Sequence, residues 1–572
     1  MANKLELTWY GKENQVNIEP RILIEDKTLS NVVNGDTENM LIHGDNLLAL
    51  KAIEKDYAGK IKCIYIDPPY NTGSAFEHYD DNLEHSIWLS LMRERLIILR
   101  NLLTEDGSIF IQIDYNEQAY LKVIMDEIYG RNNYLTMITC KVKAPSGIAS
   151  GANAFFDCSE YILAYTKNKK TFGFAPTKTD TFIIGPSAPT VTNVYNQIIK
   201  KWTNDFEIVS NFENDVEIAE ITADKFIVST IKKENRTEQM YYENYSKIFR
   251  IAAISGGRDK KILAYVQSLP NYSKEKVYSY TYVASQGKNK GKRITNYIYK
   301  GGNILFLKDF VRIDNEKKVV YKQDIITNIF NNDWWQGLTG EGGITFKNGQ
   351  KPEKLIKTLL NVVTNEGDFV LDSFLGSGTT AAVANKMRRR WIGIEMGNHA
   401  YTHSKKRLDN VIEGKDLTGI SREVNWQGGG GYHFYELAPS LINEDTFGQK
   451  VISTDYNSDM LAAAIALHEG YKYEPDNTCY WKQSYSENNS YLFVTTNHIS
   501  REIIDSIKTE LKDDEFLLIS CKSFDSNAVT GVKNISIKKI PQSLLSNCEF
   551  GVDNYSLNIV NPPIYEEEND DE

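Results

Sequence analysis

The chain has 572 residues, a length that predicts two to four domains rather than one. Its composition, with 41% hydrophobic and 25% charged residues, is that of a globular protein and excludes a collagen-like or wholly disordered chain. Because the net charge is −11, any binding of nucleic acid must depend on a local cluster of positive charge.

Nothing in the sequence predicts secretion, a membrane span or a metal site. The chain starts MANKLELTWYGKENQ without an apolar signal segment, and no later stretch approaches about eighteen uncharged apolar residues. The six cysteines show no metal-ligand spacing with one another or with histidine. We therefore expect a cytoplasmic protein with reduced thiols and no bound metal.

After an N-terminal segment, 1–39, residues 40–170 alternate between predicted strands and helices. Three apolar runs are typical of buried strands, namely IKCIYID (61–67), GSIFIQID (107–114) and SEYILAYTK (159–167). Between the first two, HSIWLSLMRERLIILRNLL has the apolar spacing of a helix. This alternation predicts one half of a mostly parallel α/β sheet.

Residues 171–345 lose this alternation and become rich in Tyr, Asn, Lys and Gly, which predicts an inserted domain. Residues 346–425 return to α/β character, with DFVLD and WIGIE as strands. The glycine run QGGGGYHF (427–434) then separates residues 435–572, which we predict to form a smaller α/β domain ending in the acidic tail EEENDDE.

A rigid acidic turn follows the predicted strand 61–67. Its residues are Asp67, Pro68, Pro69 and Tyr70, and the two prolines fix φ twice in succession. The turn presents a carboxylate, a carbonyl and an aromatic face at the carboxyl end of a strand, where ligands bind in doubly wound sheets. Accepting both hydrogens of an adenine amino group would favour the tetrahedral nitrogen that forms as a methyl group arrives. The turn therefore predicts adenine N6 as the target, with Tyr70 stacked on a base rotated out of the duplex; an ordinary loop is the alternative.

A glycine turn follows a second predicted strand and opens a helix. It reads DSFLGSGTT from Asp372 to Thr380, and Gly376 and Gly378 permit a tight turn and a close approach of a ligand to the backbone. Glu395 ends the next predicted strand, where an acid can accept hydrogen bonds from both ribose hydroxyls. The pattern lacks the room that GxGxxG gives a pyrophosphate, so it favours S-adenosylmethionine (SAM) over NAD, although a lone GxG can be a simple turn.

Together these motifs resemble those of the β-class DNA amino-methyltransferases, in which the catalytic half precedes the cofactor half. Five segments are similar to the modification (Mod) subunits of type III restriction–modification systems, namely GDNLLAL (44–50), IDPPYNTG (66–73), QKPEKLIKTLL (350–360), DSFLGSGTTA (372–381) and NWQGGGGYHFYEL (425–437). The resemblance implies a Rossmann-like, circularly permuted, SAM-dependent methyltransferase sheet with an inserted target-recognition domain and a small C-terminal α/β domain.

The resemblance also implies roles for individual residues. Those that would hold the target base are Asp67, Pro68, Pro69 and Tyr70. Those that would line the SAM site are Asp372, Phe374, Gly376, Gly378 and Thr379, with Glu395 on the ribose, Asp45 near the adenine of SAM and Lys351 closing the pocket over the methionine part. Because N4-cytosine members more often have Ser-Pro-Pro, an acid in the first position favours adenine, and cytosine N4 stays the alternative.

A basic stretch lies inside the predicted recognition domain. Residues 258–308 contain eleven lysines and arginines against two acids, with seven tyrosines interleaved. Lysine and arginine supply phosphate affinity, and tyrosine can pack on sugars or bases. We predict that the glycine-spaced run GKNKGKR, with Lys288, Lys290, Lys292 and Arg293, contacts DNA. A solvated charged face over a tyrosine-rich core is the alternative.

Two functions remain open from the sequence. One is an active site-specific adenine methyltransferase of DNA, and the other is a recognition subunit that positions a restriction partner, with methylation secondary or lost. The sequence contains no GxxxxGK[ST], so a helicase or nuclease activity would have to come from a partner. The family implies double-stranded DNA as substrate, a homodimer, and a helicase–nuclease restriction subunit as that partner.

Overall fold

The structure, a computed structural model, describes residues 6–14, 17–32, 35, 37–70, 81–143, 157–173, 178–203, 205–213, 216–222, 224–285, 290–338, 340–346, 349–545, 548 and 550–553. The described residues form two compact units, one within 1–175 and 327–572 and the other within 176–326. Residues 327–345, which the sequence placed in the predicted inserted domain, therefore belong to the first unit. The predicted division of that first unit into further domains stays a prediction.

The first part of the first unit contains β1 (Leu23–Glu25), β2 (Asn31–Val32), β3 (Met40–His43), α1 (Asn46–Tyr57), β4 (Ile61–Ile66), α2 (Asp81–Leu102), β5 (Leu103–Ile113), α3 (Gln118–Met125), β6 (Tyr134–Lys141) and β7 (Ser159–Thr166). The second unit contains β8 (Lys178–Ile183), α4 (Pro189–Thr192), β9 (Gln197–Trp202), β10 (Glu207–Phe212), β11 (Val216–Ile221), β12 (Phe226–Thr230), α5 (Glu238–Asn244), β13 (Ile248–Ala252), α6 (Gly257–Gln267), β14 (Val277–Val283), β15 (Arg293–Tyr299), β16 (Gly302–Phe306), β17 (Val311–Asp314) and β18 (Val319–Ile325). The first unit continues with β19 (Ile329–Phe330), α7 (Glu353–Val363), β20 (Phe369–Asp372), α8 (Thr379–Lys386), β21 (Arg390–Glu395), α9 (Lys406–Ile412) and β22 (Gly431–Leu437). Its last part contains β23 (Ile442–Glu444), β24 (Lys450–Ile452), α10 (Ser458–Glu469), β25 (Lys472–Tyr473), β26 (Ser484–Ser486), β27 (Ser490–Ile499), α11 (Arg501–Glu510), β28 (Phe516–Phe524), β29 (Ile535–Lys539) and α12 (Gln542–Leu545).

The large sheet of the first unit is built from both halves of the predicted α/β pattern. Its strand order is β1-β22-β3-β21-β20-β4-β5-β7-β6-β19. From β22 to β5 neighbouring strands are parallel, and β7 is antiparallel to both β5 and β6. The central strands are buried over most of their length, as expected for parallel strands covered by helices on both faces. The predicted Rossmann-like fold class is confirmed.

Local sequence explains where the helices next to the site begin. Asp45 is the N-cap of α1, and its side chain accepts hydrogen bonds from the amides of Leu47 and Leu48. Helix α7 begins directly after Pro352, whose fixed φ suits the start of a helix. The apolar residues of α7 recur on one buried face, which packs α7 against the sheet.

The second unit contains two antiparallel sheets. The larger has strand order β10-β11-β14-β15-β16-β13-β9-β12, and the smaller has the order β17-β18-β8. Helix α6 lies over the larger sheet, where Ile262 and Val266 share a buried cluster with Tyr278 and Tyr280. This antiparallel architecture explains why the strand–helix alternation of the flanking sequence is lost here.

The last part of the first unit has a smaller sheet of its own, with order β25-β26-β27-β28-β29. Its strands β27, β28 and β29 are parallel, and α11 connects the first two of them. Across the part of the chain that is described, we find no helix long and apolar enough to cross a membrane. The same residues include no group of three His, Cys, Asp or Glu side chains placed to hold a metal ion.

Candidate active site

A crevice is expected where β4 and β20 lie side by side. These two strands are parallel neighbours, yet β4 leads through α2 to β5 on one side, and β20 leads through α8 to β21 on the other. In a doubly wound sheet, ligands bind outside the carboxyl ends of the strands at such a reversal. Asp67 follows β4 and Ser373 follows β20, so the two predicted motifs meet at this edge although they are far apart in the sequence.

The acidic turn after β4 is held by hydrogen bonds on both sides. The Asp67 Oδ1 atom accepts from the Tyr70 hydroxyl at 2.8 Å, and Asp67 Oδ2 lies 2.7 Å from Lys351 Nζ. The indole of Trp88 donates to the carbonyl of Pro69 at 2.8 Å, while Pro68 is buried. The Asp67 side chain keeps 20% of its surface exposed, so a ligand in the crevice can reach it.

Burial and nearby charges set the protonation of this turn. Burial raises the pKa of Asp67, the Lys351 ammonium opposes that rise, and the Glu160 carboxylate adds to it. Burial alone would lower the pKa of Lys351, but Asp67 and Glu160 together raise it, so Lys351 stays charged. Burial also raises the pKa of Tyr70, which keeps its hydroxyl neutral and able to donate.

Glu160 is a site residue that the sequence did not reveal. Its Oε2 atom lies 2.9 Å from the Tyr70 hydroxyl, whose single hydrogen is shared between Glu160 and Asp67. Oε2 also accepts from the amide of Gln112 and lies 3.7 Å from Lys351 Nζ. Gln112 in turn accepts from the Tyr65 hydroxyl at 2.6 Å. Glu160 lies in β7 without a local motif. The one available signal was an acid inside an otherwise apolar strand, because a partly buried charge needs a partner.

The two glycines of the turn after β20 have different structural tasks. Both lie in the left-handed region, with φ of 54° at Gly376 and 81° at Gly378. A Cβ at Gly378 would lie 3.1 Å from Ser404 Cα, whereas a Cβ at Gly376 would lie 4.0 Å from its nearest atom, a carbonyl oxygen. The Ser404 hydroxyl donates to the Gly376 carbonyl at 2.7 Å. Gly378 is therefore needed for packing, and Gly376 leaves open space beside the turn.

Glu395 is tied to this turn by the backbone. Its Oε2 atom accepts from the Gly376 amide at 2.7 Å, and its Oε1 atom accepts from the Gly397 amide at 2.9 Å. These bonds fix the carboxylate at the carboxyl end of β21, next to the turn. Each carboxylate oxygen keeps a second lone pair that can accept from a ligand.

Asp372 lies at the end of β20 in a crowded acidic environment. Its Oδ1 atom accepts from the Phe374 amide at 2.9 Å. Burial raises the pKa of Asp372 to about 7; the Thr380 hydroxyl and that amide oppose the rise, and the Asp67 and Glu395 carboxylates add to it. The two motifs therefore place three carboxylates close enough to interact, and a cationic ligand would relieve their repulsion.

Asp45 and Phe374 have structural tasks as well as their predicted ones. Besides capping α1, Asp45 faces Arg95, with Asp45 Oδ2 and Arg95 Nη2 3.5 Å apart in the buried interior. An aspartate directly before an apolar helical run signals an N-cap from sequence alone. Phe374 packs against the main core cluster. The predicted contacts of both residues with SAM stay predictions.

A buried network of ion pairs contacts Thr379, the first residue of the helix that follows the glycine turn. Lys386 Nζ lies 2.8 Å from both Glu353 carboxylate oxygens and 2.6 Å from Asp416 Oδ2. Arg407 Nη2 lies 2.8 Å from Glu353 Oε1, and Arg407 Nη1 donates to the Thr379 hydroxyl at 2.7 Å. Because Thr379 is the first residue of α8, the network fixes the helix that the turn opens.

The predicted DNA-contacting run is only partly described. Lys288 lies outside the described residues, whereas Lys290, Lys292 and Arg293 are exposed. Arg293 Nη2 lies 3.1 Å from the Glu217 carboxylate.

Two of the interleaved tyrosines, Tyr278 and Tyr280, lie in the core beneath α6, so the prediction that they pack on sugars or bases is wrong for them. In β14 these tyrosines alternate with Ser279 and Thr281, and residues 277–281 are buried on both faces of the sheet.

Comparison with known proteins now gives the class of protein. A family model described as DNA methylase matches residues 61–406, which is more than half of the chain and includes the acidic turn, the glycine turn and Lys351. The chain belongs to this DNA methylase family.

Two relatives with sequences similar to this chain are Mod subunits of type III restriction-modification enzymes. The chain is 36% identical over 455 residues to the probable type III restriction-modification enzyme HindVI Mod subunit of Haemophilus influenzae, an alignment that covers 76% of this chain and 58% of that subunit. It is 27% identical over 549 residues to the EcoP15I Mod subunit of Escherichia coli, covering 81% of this chain and 77% of that subunit. The predicted resemblance to Mod subunits is confirmed.

Among solved structures, a putative DNA modification methylase of Thermus thermophilus in complex with SAM aligns with 69% of this chain and 99% of its own length, at 13% identity and a TM-score of 0.32.

Proposed function

We propose that this chain is a SAM-dependent methyltransferase that modifies the N6 atom of adenine at specific sites in double-stranded DNA. The observation that carries the proposal is the position of Asp67, at the carboxyl end of β4 beside the glycine turn that follows β20. A hydrogen-bond acceptor for an amino nitrogen and a turn suited to an adenosine-type cofactor thus lie at one edge of the sheet.

Three features of the glycine turn fit SAM. The open space at Gly376 gives a ligand access to the backbone. The Ser373 hydroxyl is buried without a hydrogen-bond partner among the described residues, so a ligand could supply one. The carboxylates of Asp67, Asp372 and Glu395 favour a cationic ligand. When bound, SAM would supply an electrophilic methyl group on a sulfonium.

The chain's own residues would position and activate the amino group. The nitrogen lone pair of adenine N6 is delocalised into the ring, so the nitrogen is a weak nucleophile. Accepting its hydrogens at the Asp67 carboxylate and the Pro68 carbonyl favours the tetrahedral geometry in which that lone pair is available. The Tyr70 ring offers a face for stacking of a base rotated out of the duplex. Its hydroxyl, bonded to Asp67 and Glu160, holds the ring in place.

Features of the relatives extend the proposal to partners. Because two relatives are type III Mod subunits, we propose that this chain is the modification and recognition subunit of a type III system. A homodimer and a helicase–nuclease restriction subunit would then be its partners in the cytoplasm. Asp67 in the first motif position favours adenine over cytosine N4. The basic run around Lys290 is the proposed DNA contact, since its described side chains are exposed.

Transfer of a radiolabelled methyl group from SAM to plasmid DNA, with no partner protein present, tests the proposal. We expect labelled N6-methyladenine, identified after digestion of the DNA, at a defined set of sites. Label on cytosine would correct the target base. A protein that binds DNA and SAM but transfers no label would instead be a recognition subunit without methylation.

A further inference from the structure

Lys351 occupies the place that the proposed chemistry reserves for the target base. Its ammonium lies 2.7 Å from the Asp67 Oδ2 atom and 5.4 Å from the centroid of the Tyr70 ring. The carboxylate oxygen would accept the amino hydrogens of the base, and the ring face would stack on it. The Lys351 side chain is only 11% exposed, so the contact is made largely away from water.

A second carboxylate lies within reach of the same ammonium. Glu160 Oε2 is 3.7 Å from Lys351 Nζ, 1.0 Å farther than Asp67 Oδ2. Glu160 is anchored on β7 by hydrogen bonds from Tyr70 and Gln112. The ammonium thus stands between two carboxylates, closer to the one that the proposed chemistry uses.

We propose, resting on the proposed function, that Lys351 is a placeholder for the amino group of the target base and that Glu160 receives Lys351 when the base arrives. Without the base, Lys351 pairs with the Asp67 carboxylate and orients it. As the base rotates in, its amino group replaces the ammonium at Asp67, and the ammonium moves to Glu160. No covalent bond changes and Lys351 keeps its proton throughout.

Charge and burial explain why a receiving carboxylate is needed. Displacing a largely buried ammonium from its only carboxylate would leave an unpaired charge away from water, which is strongly unfavourable. Glu160 lowers that cost because the ammonium exchanges one ion pair for another. Glu160 is therefore a positioning residue that acts through Lys351, and it makes no contact with the transferred methyl group.

The test measures rotation of the base separately from methyl transfer. The target adenine is first located by mapping the sites that the wild-type protein methylates. A duplex is then made with 2-aminopurine next to that adenine. The fluorescence of 2-aminopurine rises when the adenine rotates out and the stacking is lost. S-adenosylhomocysteine replaces SAM so that no turnover occurs. We expect Glu160→Gln to lower the equilibrium constant for base rotation about tenfold, the effect of losing one charged contact. Overall DNA affinity should fall by no more than the same factor, because rotation adds to binding of the unrotated duplex. Glu105→Gln, a control that removes an exposed carboxylate near the start of β5 and so away from the site, should leave the rotated fraction unchanged.

A double variant decides whether Glu160 acts through Lys351. Lys351→Met removes the cation to be displaced, so we expect the rotated fraction to rise above that of the wild type. Adding Glu160→Gln to Lys351→Met should then change nothing, because contacts that work through one partner are not additive. A rotated fraction in Glu160→Gln equal to the wild type, or the same loss in both backgrounds, would overturn the inference. If the wild-type protein methylates no DNA, the proposed function itself fails. That failure is seen when the methylated sites are mapped, before base rotation is measured in any variant.

Discussion

At the scale of single residues, Asp67 gives the most direct prediction. Asp67→Ala removes the proposed acceptor of the amino hydrogens, so we expect the methylation rate to fall by a factor on the order of 10² or more. SAM affinity, measured by calorimetry, should survive because the glycine turn after β20 and Glu395 are untouched. Near wild-type methylation by this variant would show that Asp67 does not activate the amino group.

Asp372 predicts a pH dependence of SAM binding. Burial raises its pKa to about 7, so the carboxyl is ionised above that pH and neutral below it. Only the ionised form attracts a cation, and we therefore expect SAM affinity to weaken as pH falls through 7, approaching about tenfold per pH unit in the acid limb.

Calorimetry between about pH 6 and pH 8 checks this prediction for Asp372, with Asp372→Asn as the matched variant that cannot ionise. The wild-type affinity should depend on pH more steeply than the affinity of the variant. Equal slopes would mean that the ionisation of Asp372 does not control binding.

Site residues that belong to a local sequence motif could be predicted from the sequence, and those outside such a motif could not. Asp67, Tyr70 and Glu395 follow or end apolar runs that predict strands, so their arrival at one sheet edge followed from the sequence. Glu160 could not be predicted, because its contacts with Tyr70 and Lys351 join three distant segments and depend on the pairing of β7 with β5 and β6. The tasks in SAM binding assigned to Asp45 and Lys351 stay predictions.

At the scale of elements, the glycine turn gives a prediction with a matched control. Gly376→Val would fill the open space beside the turn and should abolish SAM binding in calorimetry. Gly367 is also left-handed, with φ of 83°, and a Cβ there would meet no atom within 4 Å. Gly367→Val introduces similar backbone strain before β20 and should leave SAM affinity intact. Equal loss in both variants would indicate strain rather than a filled site.

The buried network below α8 predicts an effect on stability. Lys386→Met leaves Glu353 and Asp416 without their shared ammonium, and breaking a buried ion pair in this way costs about 3–5 kcal/mol. Lys405→Met, which breaks the partly exposed pair with Asp409, should cost about 0.3–0.5 kcal/mol. The two effects are compared by urea denaturation, and similar midpoints would show that the network contributes little.

Element types were more predictable than their partners. The apolar runs of β4, β5 and β7 and the helical spacing of apolar residues in α2 are local properties, and the structure shows these elements where the sequence predicted them. Between Lys178 and Ile325 the sequence indicated a different domain but not its two antiparallel sheets. Strand pairing there is set by tertiary packing, such as that of Tyr278 and Tyr280 under α6, which no local pattern specifies.

At the scale of the whole molecule, the basic stretch predicts how DNA affinity depends on salt. Replacing Lys288, Lys290, Lys292 and Arg293 by Ala should reduce the slope of log affinity against log salt by about 0.9 for each phosphate that the variant no longer neutralises. SAM affinity should not change.

A control for the basic stretch lies in the same unit. Lys317 and Lys318 are exposed in the turn between β17 and β18, where the acids Asp314 and Glu316 adjoin them in the sequence. Their replacement by Ala should change the slope less for each charge removed. If the quadruple variant keeps the wild-type slope and a native circular dichroism spectrum, the stretch is a solvated face that does not contact DNA.

The second unit begins and ends with strands that pair with each other. In the antiparallel pair of β8 and β18, Lys178 lies opposite Ile325, so the chain enters and leaves the unit at neighbouring points. A segment with adjacent ends can be replaced by another segment without displacing the residues on either side. We propose that this unit recognises the target, and exchanging it should then change the methylated sequence while Asp67 and Asp372 stay unaltered on either side.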